Sequence, residues 1–467
     1  MYGTIVIKGS YSTIKKGLDK FRVQLDESGN LFIICRTEYD TQNDVRHDFF
    51  DLIRYSVKAG LMYVNTIVAP TPEFIGGSLP DNVVYIVWLV RNHTSMFFNK
   101  DAIREEHIWK NVEWGHRAKN YNPKGKDPGN VWIPTEDDGQ GNITAHIMLS
   151  TKDIIERLYA CSKQNDKSFL VVSDSLSDKV NCPDDCEFEL IETSFSANNA
   201  CNESIKYVKE TSTHHGAVWA KVLWGTSENM SKVPKKSVDC IVTSPPYWDL
   251  KDYFKEGQIG QESYDQYLNR LNNVWKECYN VLKDNGTFWL NINIRVKQNR
   301  VILIPYDFIH QCKEIGFHYK GILIWHKSSG IPTHDKNIVD RHEYVLVFSK
   351  GKQITLNEAI RNIADYKDNR MNGGLFWNIN RKAGSVGKHY IHPAIYPNEL
   401  VERILLSCTK EGDVVLDPFL GSGTTMIASI TTNRNSYGFE FNEGFKELIL
   451  SRIQTDIGLL SSYDLEI

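Results

Sequence analysis

The feature that most constrains this 467-residue sequence is that its second half repeats the pattern of its first. LDESGNLFII at 25–34 resembles LKDNGTFWLN at 282–291, and the eighteen residues from Asp51 resemble the eighteen from Asp307. Four further pairs follow in the same order, namely VVYIVWLV with HEYVLVFS, FNKDAIR with LNEAIR, NVWIP with LFWNI, and HIMLSTKDIIERL with HPAIYPNELVERI. Alternating strands and helices can look alike by chance, but chance does not keep six segments collinear. The sequence therefore predicts an internal duplication.

Length and composition agree with two globular units. A chain of 467 residues is long enough for two or more domains, and 41% apolar with 24% charged residues is ordinary globular usage. The longest apolar stretch, residues 82–90, falls far short of the roughly 20 residues that cross a bilayer. With no signal-peptide pattern and nine scattered cysteines, we expect a soluble, cytoplasmic protein with reduced thiols and no membrane partner.

The two copies are predicted to meet in the polar, acidic segment 178–215. We expect a domain at 1–205 and a second at 206–467. Cys182, Cys186 and Cys201 lie in this segment, but no second pair at zinc-ligand spacing accompanies them, so no metal site is predicted.

A proline turn follows an apolar strand in the second copy. VDCIV at 238–242 runs directly into Thr243, Ser244, Pro245, Pro246, Tyr247 and Trp248. Two prolines remove two N–H donors and fix two φ angles, which leaves a rigid turn rich in carbonyl acceptors beside an aromatic face. Such a turn suits a planar ring that carries an amino group, as a nucleobase does. The alternative is a strand-ending turn whose aromatic residues belong to the core.

A glycine turn lies about 170 residues later. DVVLDPFLGSGTT at 413–425 has the pattern of a buried strand, a turn with Gly421 and Gly423, and a helix start. Glycine lets backbone approach a ligand, but the lysine of a P-loop is absent, so a nucleoside other than a hydrolysed triphosphate is expected. The next strand, NSYGFEF, contains Glu440 at its end, where a carboxylate can accept hydrogen bonds from ribose hydroxyls or simply be solvated.

In this order, TSPPYW at 243–248, HPAIYPNELVERIL at 392–405 and DPFLGSGTT at 417–425 resemble the motifs of amino-group DNA methyltransferases with the permuted, beta-type arrangement. The resemblance covers about residues 215–467. It implies S-adenosylmethionine as cofactor, held by Asp417, Phe419, Gly421, Gly423, Glu440, His392, Pro393 and Ala394. It also implies a catalytic turn formed by Ser244, Pro245, Pro246 and Tyr247. TSPPY followed by Trp is most similar to cytosine-N4 enzymes, with adenine N6 as the alternative.

The resemblance implies an α/β fold with two Rossmann-like methyltransferase domains, each a doubly wound, mostly parallel sheet, joined as a pseudo-dimer in one chain. The first copy lacks both motifs: IVIKGSYS aligns with either VLWGTS or IVTSPPYW, and FLVVSDSLSD stands in place of VVLDPFLGSG. We expect this copy to support the fold or to engage DNA. Basic residues motivate the second role, although a solvated basic loop is the alternative; the DNA-contact candidates in the whole chain are Trp248, Lys327, Lys119, Lys124 and Lys126.

The implied reaction is direct methyl transfer to the amine of a base flipped out of double-stranded DNA. The implied setting is prokaryotic or phage restriction and modification, with a companion restriction endonuclease and a protein that acts as a monomer. The rival interpretations are a non-catalytic nucleic-acid-binding protein and an RNA amine methyltransferase. One departure from the family pattern is that Gly225 and Thr226 stand where Gly-Asp is common, so Glu228 is expected to replace the missing acid.

Overall fold

The computed structural model describes residues 1–77, 79–107, 122–138, 142–191, 206–208, 217–251, 255–327, 337–357, 374–380, 385–386, 390–391, 396–457 and 463–467. In this part of the chain the α-helices are α1 (Tyr11–Phe21), α2 (Phe49–Lys58), α3 (Thr151–Ser162), α4 (Tyr264–Val281), α5 (Ile304–Ile315), α6 (Asn398–Cys408), α7 (Thr424–Thr431) and α8 (Lys446–Ile457). No described helix combines the length and hydropathy needed to span a bilayer.

The strands of the first half are β1 (Tyr2–Lys8), β2 (Leu25–Cys35), β3 (Glu38–Tyr39), β4 (Val45–His47), β5 (Met62–Ile75), β6 (Asp81–Val90), β7 (Thr135–Asp137), β8 (Ile143–His146), β9 (Ser168–Ser173) and β10 (Glu187–Leu190). Those of the second half are β11 (Lys206–Val208), β12 (Val218–Trp224), β13 (Val238–Thr243), β14 (Leu282–Ile292), β15 (Arg295–Lys297), β16 (Arg300–Ile302), β17 (His318–His326), β18 (His342–Ser349), β19 (Thr355–Asn357), β20 (Phe376–Asn378), β21 (Ser385–Val386), β22 (Tyr390–Ile391), β23 (Val414–Asp417), β24 (Asn435–Glu440) and β25 (Tyr463–Glu466).

The two large sheets share one strand order. The first sheet runs β10-β9-β1-β2-β6-β5, and the second contains the matching run β24-β23-β13-β14-β18-β17 within its nine strands. Directions match as well, since the β1–β2, β1–β9 and β9–β10 pairs and their counterparts are parallel. The β2–β6 and β5–β6 pairs and their counterparts are antiparallel. Both sheets are therefore mixed sheets with the same strand order and the same strand directions.

Two irregularities recur at equivalent positions. The register of β1 against β2 shifts between Tyr2 and Thr4, and that of β13 against β14 shifts between Val238 and Cys240. The β5–β6 ladder shifts between Tyr63 and Asn65, and the β17–β18 ladder shifts between Tyr319 and Gly321. Bulges are retained features of a sheet, so their recurrence supports the duplication, which stays a prediction about origin.

The shared register resolves one ambiguity of the sequence. Ile5 pairs with Leu31, as Ile241 pairs with Phe288, so IVIKGSYS occupies the place of IVTSPPYW. The strand of VLWGTS, β12, instead pairs with β24, the strand that ends at Glu440. Ala220 pairs with Ser436 in this ladder. Lys8 of the first half thus stands where Ser244 stands in the second.

The predicted linker is partly wrong. Glu187–Leu190, inside segment 178–215, is a strand that pairs in parallel with β9. Only two of its four residues, Phe188 and Glu189, are partly buried, which was too little pattern to predict a strand. Residues 192–205 and 209–216, which hold most of the remaining segment and Cys201, lie outside the described residues. The boundary between residues 205 and 206 stays a prediction.

Local chemistry explains why the helices begin and end where they do. The Ser263 side chain caps α4 by accepting a hydrogen bond from the Gln266 N–H. In return, the Ser263 N–H donates to Gln266 Oε1. Asp48 caps α2 in the same way with Asp51. Gly316, with a φ of 116°, ends α5 in the left-handed conformation that favours glycine.

One apolar core joins the two halves. Phe49 on α2 is fully buried, and its ring centroid lies 5.3 Å from that of Tyr344 on β18 and 4.4 Å from that of Tyr85 on β6. The Tyr319 hydroxyl donates to Asp48 Oδ2 at 3.1 Å, which adds a polar contact to the same interface. Buried residues of both halves belong to this one cluster, so the halves are expected to stabilise each other.

A second contact between the two halves is formed by Asn130 and the residues just before β18. The Asn130 N–H donates to the Val339 carbonyl at 2.9 Å, and the Arg341 N–H donates to Asn130 Oδ1 at 2.8 Å. Asn130 Nδ2 also donates to Asp340 Oδ1 at 2.9 Å. Backbone and side-chain bonds together fix the approach of the first half to the start of β18.

We expect Phe49→Ala to destabilise both halves together. Removing a buried phenylalanine leaves a cavity and costs about 3 to 5 kcal/mol of unfolding free energy. Urea unfolding, followed by fluorescence and circular dichroism, should give one transition shifted to lower denaturant. Val180→Ala, at a position that is 81% exposed, is the control and should shift little. Two separate transitions, only one of them shifted, would contradict a shared core.

Candidate functional site

A cavity of about 280 Å³ opens at the carboxyl ends of β13, β23 and β24. In an α/β sheet, ligands bind at this edge. The cavity brings together the proline turn (residues 243–248) and the glycine turn (residues 418–423), which are about 170 residues apart in sequence. Lining residues from the two turns and from neighbouring strands include Ser244, Tyr247, Phe419, Gly421, Glu440 and Gly225.

Asp417 joins the two turns. Its fully buried carboxylate accepts at Oδ1 from the Thr243 hydroxyl at 2.7 Å and from the Phe419 N–H at 2.9 Å. Its Oδ2 accepts from the hydroxyls of Thr425 at 2.6 Å and Tyr396 at 3.0 Å. Burial raises the pKa of Asp417, while these hydrogen bonds act in the opposite direction. The residue predicted to contact cofactor is therefore also the link between both walls of the cavity.

The glycine turn has the expected geometry. Gly421 and Gly423 have φ angles of 55° and 85°, and α7 begins directly after Gly423. The Gly421 N–H donates to Glu440 Oε2 at 2.8 Å, and the Asn442 N–H donates to Oε1 at 2.7 Å. Burial raises the pKa of Glu440 to about 7, although both N–H bonds lower it. Its carboxylate lines the cavity and retains lone pairs for ligand hydroxyls.

A buried arginine that sequence reasoning missed braces the glycine turn. Arg452 on α8 is 1% exposed, and its Nη1 donates to the Ser422 carbonyl at 2.9 Å and to the Thr424 hydroxyl at 2.8 Å. A charged side chain facing inward from an amphipathic helix was the only signal for this role. It ties α8 to the start of α7.

Three contacts outside the cavity hold the proline turn. The Tyr267 hydroxyl on α4 donates to the Pro246 carbonyl at 2.7 Å, and Arg295 Nη1 donates to the Tyr247 carbonyl at 3.1 Å. Trp248 adopts a φ of 53° and donates from Nε1 to the Glu262 carbonyl at 2.9 Å. These bonds occupy carbonyls of Pro246 and Tyr247, while Ser244 and Pro245 line the cavity.

A polar network at the base of the cavity was not predicted. The Tyr247 hydroxyl donates to Glu343 Oε2 at 2.8 Å, and Asn291 Nδ2 donates to the same oxygen at 2.7 Å. Lys327 Nζ pairs with Glu343 Oε1 at 3.0 Å. Burial acts to raise the pKa of Glu343, but the charge of Lys327 and the hydrogen bonds outweigh it, so the pKa lies below its usual value.

Asn291 also faces Ser244. Its Nδ2 lies 3.5 Å from Ser244 Oγ, and its buried Oδ1 has no hydrogen-bond partner among the described residues. Asn291 and Glu343 are polar residues inside otherwise apolar strands, which is a sequence signal of a buried role. Buried polar atoms normally have a hydrogen-bond partner, so this oxygen is an exception within the site.

Glu228, which was expected to replace the missing acid, is bonded to neighbouring residues. Gly225, Thr226 and Ser227 line the cavity beyond Glu440. Glu228, however, accepts from Arg270 Nη2 at 2.8 Å and from the Thr226 hydroxyl at 3.1 Å. Arg270 projects from α4, an approach that the sequence did not indicate. The role of Glu228 as a replacement for the acid stays a prediction.

The predicted DNA-contact cations lie in different surroundings. Lys327 is 7% exposed and belongs to the network around Glu343, not to an outer surface. Lys124 is exposed but pairs with Asp101 at 2.6 Å, and burial beside Arg341 lowers the pKa of Lys126. Trp248 is half-buried under Lys297. Acidic neighbours therefore neutralise part of the predicted basic face, and its role stays a prediction.

Some candidates lie outside the described residues, namely Lys119, His392, Pro393 and Ala394. Cys240 is fully buried in β13 and is part of the core. In the first half, Lys8 at the place of Ser244 pairs with Asp178 at 2.8 Å, and Asp174 accepts from the Ser10 N–H at 3.0 Å. An ion pair and an acid thus stand where the second half has its proline turn.

Comparisons with known proteins agree on one family. The family model for amino-directed N6 and N4 enzymes, described as DNA methylase, matches residues 238–451. The type II methyltransferase M.Cfr9I of Citrobacter freundii is 33% identical over 257 residues, which are 48% of this chain and 84% of that protein. M.SmaI of Serratia marcescens is 30% identical over 267 residues, covering 50% of this chain and 90% of the relative.

Solved structures are more distant. The DNA modification methylase TTHA0409 of Thermus thermophilus, complexed with S-adenosyl-L-methionine, has a TM-score of 0.40 and 25% identity, covering 54% of this chain and 100% of that chain. PvuII DNA methyltransferase, described as cytosine-N4-specific, has a TM-score of 0.41 and 18% identity, covering 56% and 96%.

We expect Asp417→Asn to weaken the fold around the cavity. An amide offers one acceptor oxygen where the carboxylate uses two, so at least one buried hydroxyl loses its acceptor, at about 1 to 3 kcal/mol. Chemical denaturation measures this loss. Asp166→Asn, in an exposed turn, is the matched control and should be neutral. Equal stability of the two variants would contradict the linking role of Asp417.

Proposed function

The chain belongs to the DNA methylase family of amino-methyltransferases, which use S-adenosylmethionine, and from this premise we propose a site-specific DNA methyltransferase that modifies cytosine N4. One observation carries the proposal: the proline turn and the glycine turn line the same cavity, and the Asp417 carboxylate bonds to both. The rival interpretation is a non-catalytic nucleic-acid-binding protein. The family to which the chain belongs and the intact cavity both disfavour it.

The residues at the glycine turn fit the cofactor. Glu440 presents a buried carboxylate that has room for ribose hydroxyls, and Gly225 has open space where a side chain would project. Phe419 and Gly421 line the part of the cavity that leads toward Ser244. When bound, the cofactor supplies an electrophilic methyl group. Asp417 and Gly423 act by holding the turn, while roles for His392, Pro393 and Ala394 stay predictions.

The residues at the proline turn suit a flipped base. An aromatic amine is a weak nucleophile because its lone pair is delocalised into the ring. Hydrogen bonds from the amine to the Ser244 hydroxyl and the Pro245 carbonyl would favour the positive charge that develops on nitrogen as it attacks. Pro246 stiffens this turn.

Tyr247 is positioned to stack on the extruded base. Base–aromatic stacking contributes about 1 to 3 kcal/mol and would offset much of the cost of flipping. The hydroxyl bond to Glu343 and the carbonyl bond to Arg295 fix the ring from both ends. A stacking face that is already fixed loses little conformational freedom when the base arrives.

The choice of cytosine rests on the TSPPYW form at 243–248, with adenine N6 as the alternative product. Double-stranded DNA is the substrate that the family implies. We further propose a role in restriction and modification beside a companion endonuclease, because the similar proteins M.Cfr9I and M.SmaI are named type II methyltransferases.

The first half is proposed to be an internal, non-catalytic partner. Its core residue Phe49 packs on Tyr344, the neighbour of Glu343 in β18. The packing of Phe49 on one face of β18 therefore supports the Glu343 network on the other face. A fragment of residues 206–467 with full activity would contradict this role.

Product identification tests the proposal. Purified protein, S-adenosylmethionine with a labelled methyl group and duplex DNA are incubated, and the DNA is digested to nucleosides for mass analysis. We expect N4-methylcytosine, and loss of at least about 100-fold in rate for Ser244→Ala combined with Tyr247→Ala. Asp166→Ala is the control variant. N6-methyladenine would overturn the choice of base, and undiminished transfer by the double variant would overturn the assigned pocket.

Cofactor affinity should depend on pH through Glu440. Its pKa of about 7 means that the carboxylate is largely protonated at lower pH, whereas ribose hydroxyls donate best to the ionised form. Affinity should rise by up to about tenfold per pH unit toward pH 7 and then level off. Calorimetric titration with S-adenosylmethionine from pH 5.5 to 8.5 measures this. Glu440→Gln should bind more weakly with a flatter profile; an unchanged profile would contradict the ribose role.

A further inference from the structure

A short two-stranded hairpin extends from the same sheet edge as the cavity. It consists of β15 and β16 with a two-residue tip, Gln298 and Asn299, and is called the β-ribbon below (residues 295–302). The proposed function does not account for it. It follows β14, the strand that carries Asn291, after only two residues.

The β-ribbon is fixed to the proline turn. Arg295 Nη1 donates to the Tyr247 carbonyl at 3.1 Å, and Arg295 Nη2 pairs with Asp249 Oδ1 at 2.7 Å. Lys297 pairs with the other oxygen of Asp249 and lies 4.9 Å above the Trp248 ring centroid. The β-ribbon is thus bonded directly to Tyr247, the residue that is proposed to stack on the target base.

The exposed end of the β-ribbon is polar and cationic. Val296, Lys297, Gln298, Asn299 and Arg300 are all exposed, and no described residue forms an ion pair or hydrogen bond with the Arg300 side chain. The ribbon carries three cations against the single carboxylate of Asp249. A local positive charge of this kind suits phosphates, even on a chain with a net charge of -4.

The tip has an unfavourable backbone conformation for its residues. Gln298 and Asn299 have φ angles of 50° and 60°, the left-handed region that a two-residue hairpin turn requires and that glycine adopts most easily. Their side chains project into solvent without described partners. Both amide side chains therefore lie exposed at the outer end of the β-ribbon.

We propose that the β-ribbon enters the major groove of the duplex beside the flipped nucleotide, and that Gln298, Asn299 and Arg300 read base edges there. A two-stranded ribbon fits this groove, and the amide and guanidinium groups make paired hydrogen bonds with adenine and guanine. The inference rests on the proposed function, since it supplies the specificity for that reaction. Lys297, whose side chain is 43% exposed, is the phosphate-side position of the same element, whereas Arg295 holds the β-ribbon to the proline turn.

The test compares methylated sites. The sequence methylated by the wild-type protein is first determined by single-molecule sequencing of DNA from a bacterial host that expresses it. Rates are then measured on that duplex and on duplexes with each base pair replaced in turn. The variant Gln298→Gly with Asn299→Gly removes the side chains but suits the left-handed turn, so it should fold normally. Arg300→Ala is tested separately.

We expect the double glycine variant to lose about tenfold or more of its discrimination at one or two base positions. Arg300→Ala should relax one position in the same way, whereas uniformly weaker binding with a smaller salt dependence would overturn base reading by Arg300. Asn433→Gly is the matched control, because Asn433 has a φ of 59° and lies away from the cavity, and it should leave discrimination unchanged.

Other outcomes separate the two proposals. If the wild-type protein methylates DNA but all ribbon variants keep its discrimination, base reading by the β-ribbon is overturned while the proposed function stands. A loss of rate with unchanged discrimination likewise overturns base reading and leaves only a positioning role. If the wild-type protein transfers no methyl group to DNA, the proposed function fails, and the ribbon's role fails with it.

Discussion

The buried carboxylate of Asp417 is the interaction on which the rest of the site depends. It receives four hydrogen bonds, from the end of β13, the glycine turn, the start of α7 and Tyr396. In a low-dielectric interior these bonds are strong, and each orphaned partner would be expensive. The two turns that form the cavity cannot separate without breaking this cluster. Two motifs far apart in sequence therefore act as one rigid site.

The alternation of side chains along β18 connects the first half to this site. Glu343 points toward the cavity and bonds to Tyr247, whereas the adjacent Tyr344 points to the opposite face and packs on Phe49. The apolar face around Tyr344 would be exposed to water without the first half. The half that lacks both motifs thus has a structural role, because it covers the strand whose Glu343 holds the Tyr247 hydroxyl.

Much of this architecture could be predicted from sequence, and the remainder could not for identifiable reasons. The repeat predicted two copies of one α/β pattern, and the proline and glycine motifs predicted the two turns, since those signals are local. Glu343 and Asn291 meet only because β14 and β18 pair in an antiparallel register, which depends on residues about 50 positions apart. The bond from Arg270 on α4 to Glu228 could not be predicted, because it depends on how the helix packs beside a loop about 40 residues earlier. The strand at Glu187–Leu190 was too short for its pattern to be recognised.

The equivalence of the two sheets separates what the fold needs from what the chemistry needs. By the shared register, Val171 on β9 stands at the place of Asp417, and Leu190 on β10 at that of Glu440. Burial raises the pKa of both carboxyl groups in the second half, so each is costly to keep ionised. The same scaffold forms in the first half with apolar residues at these places. The fold alone therefore does not require the two acids, and the cavity between the turns is what gives them a use.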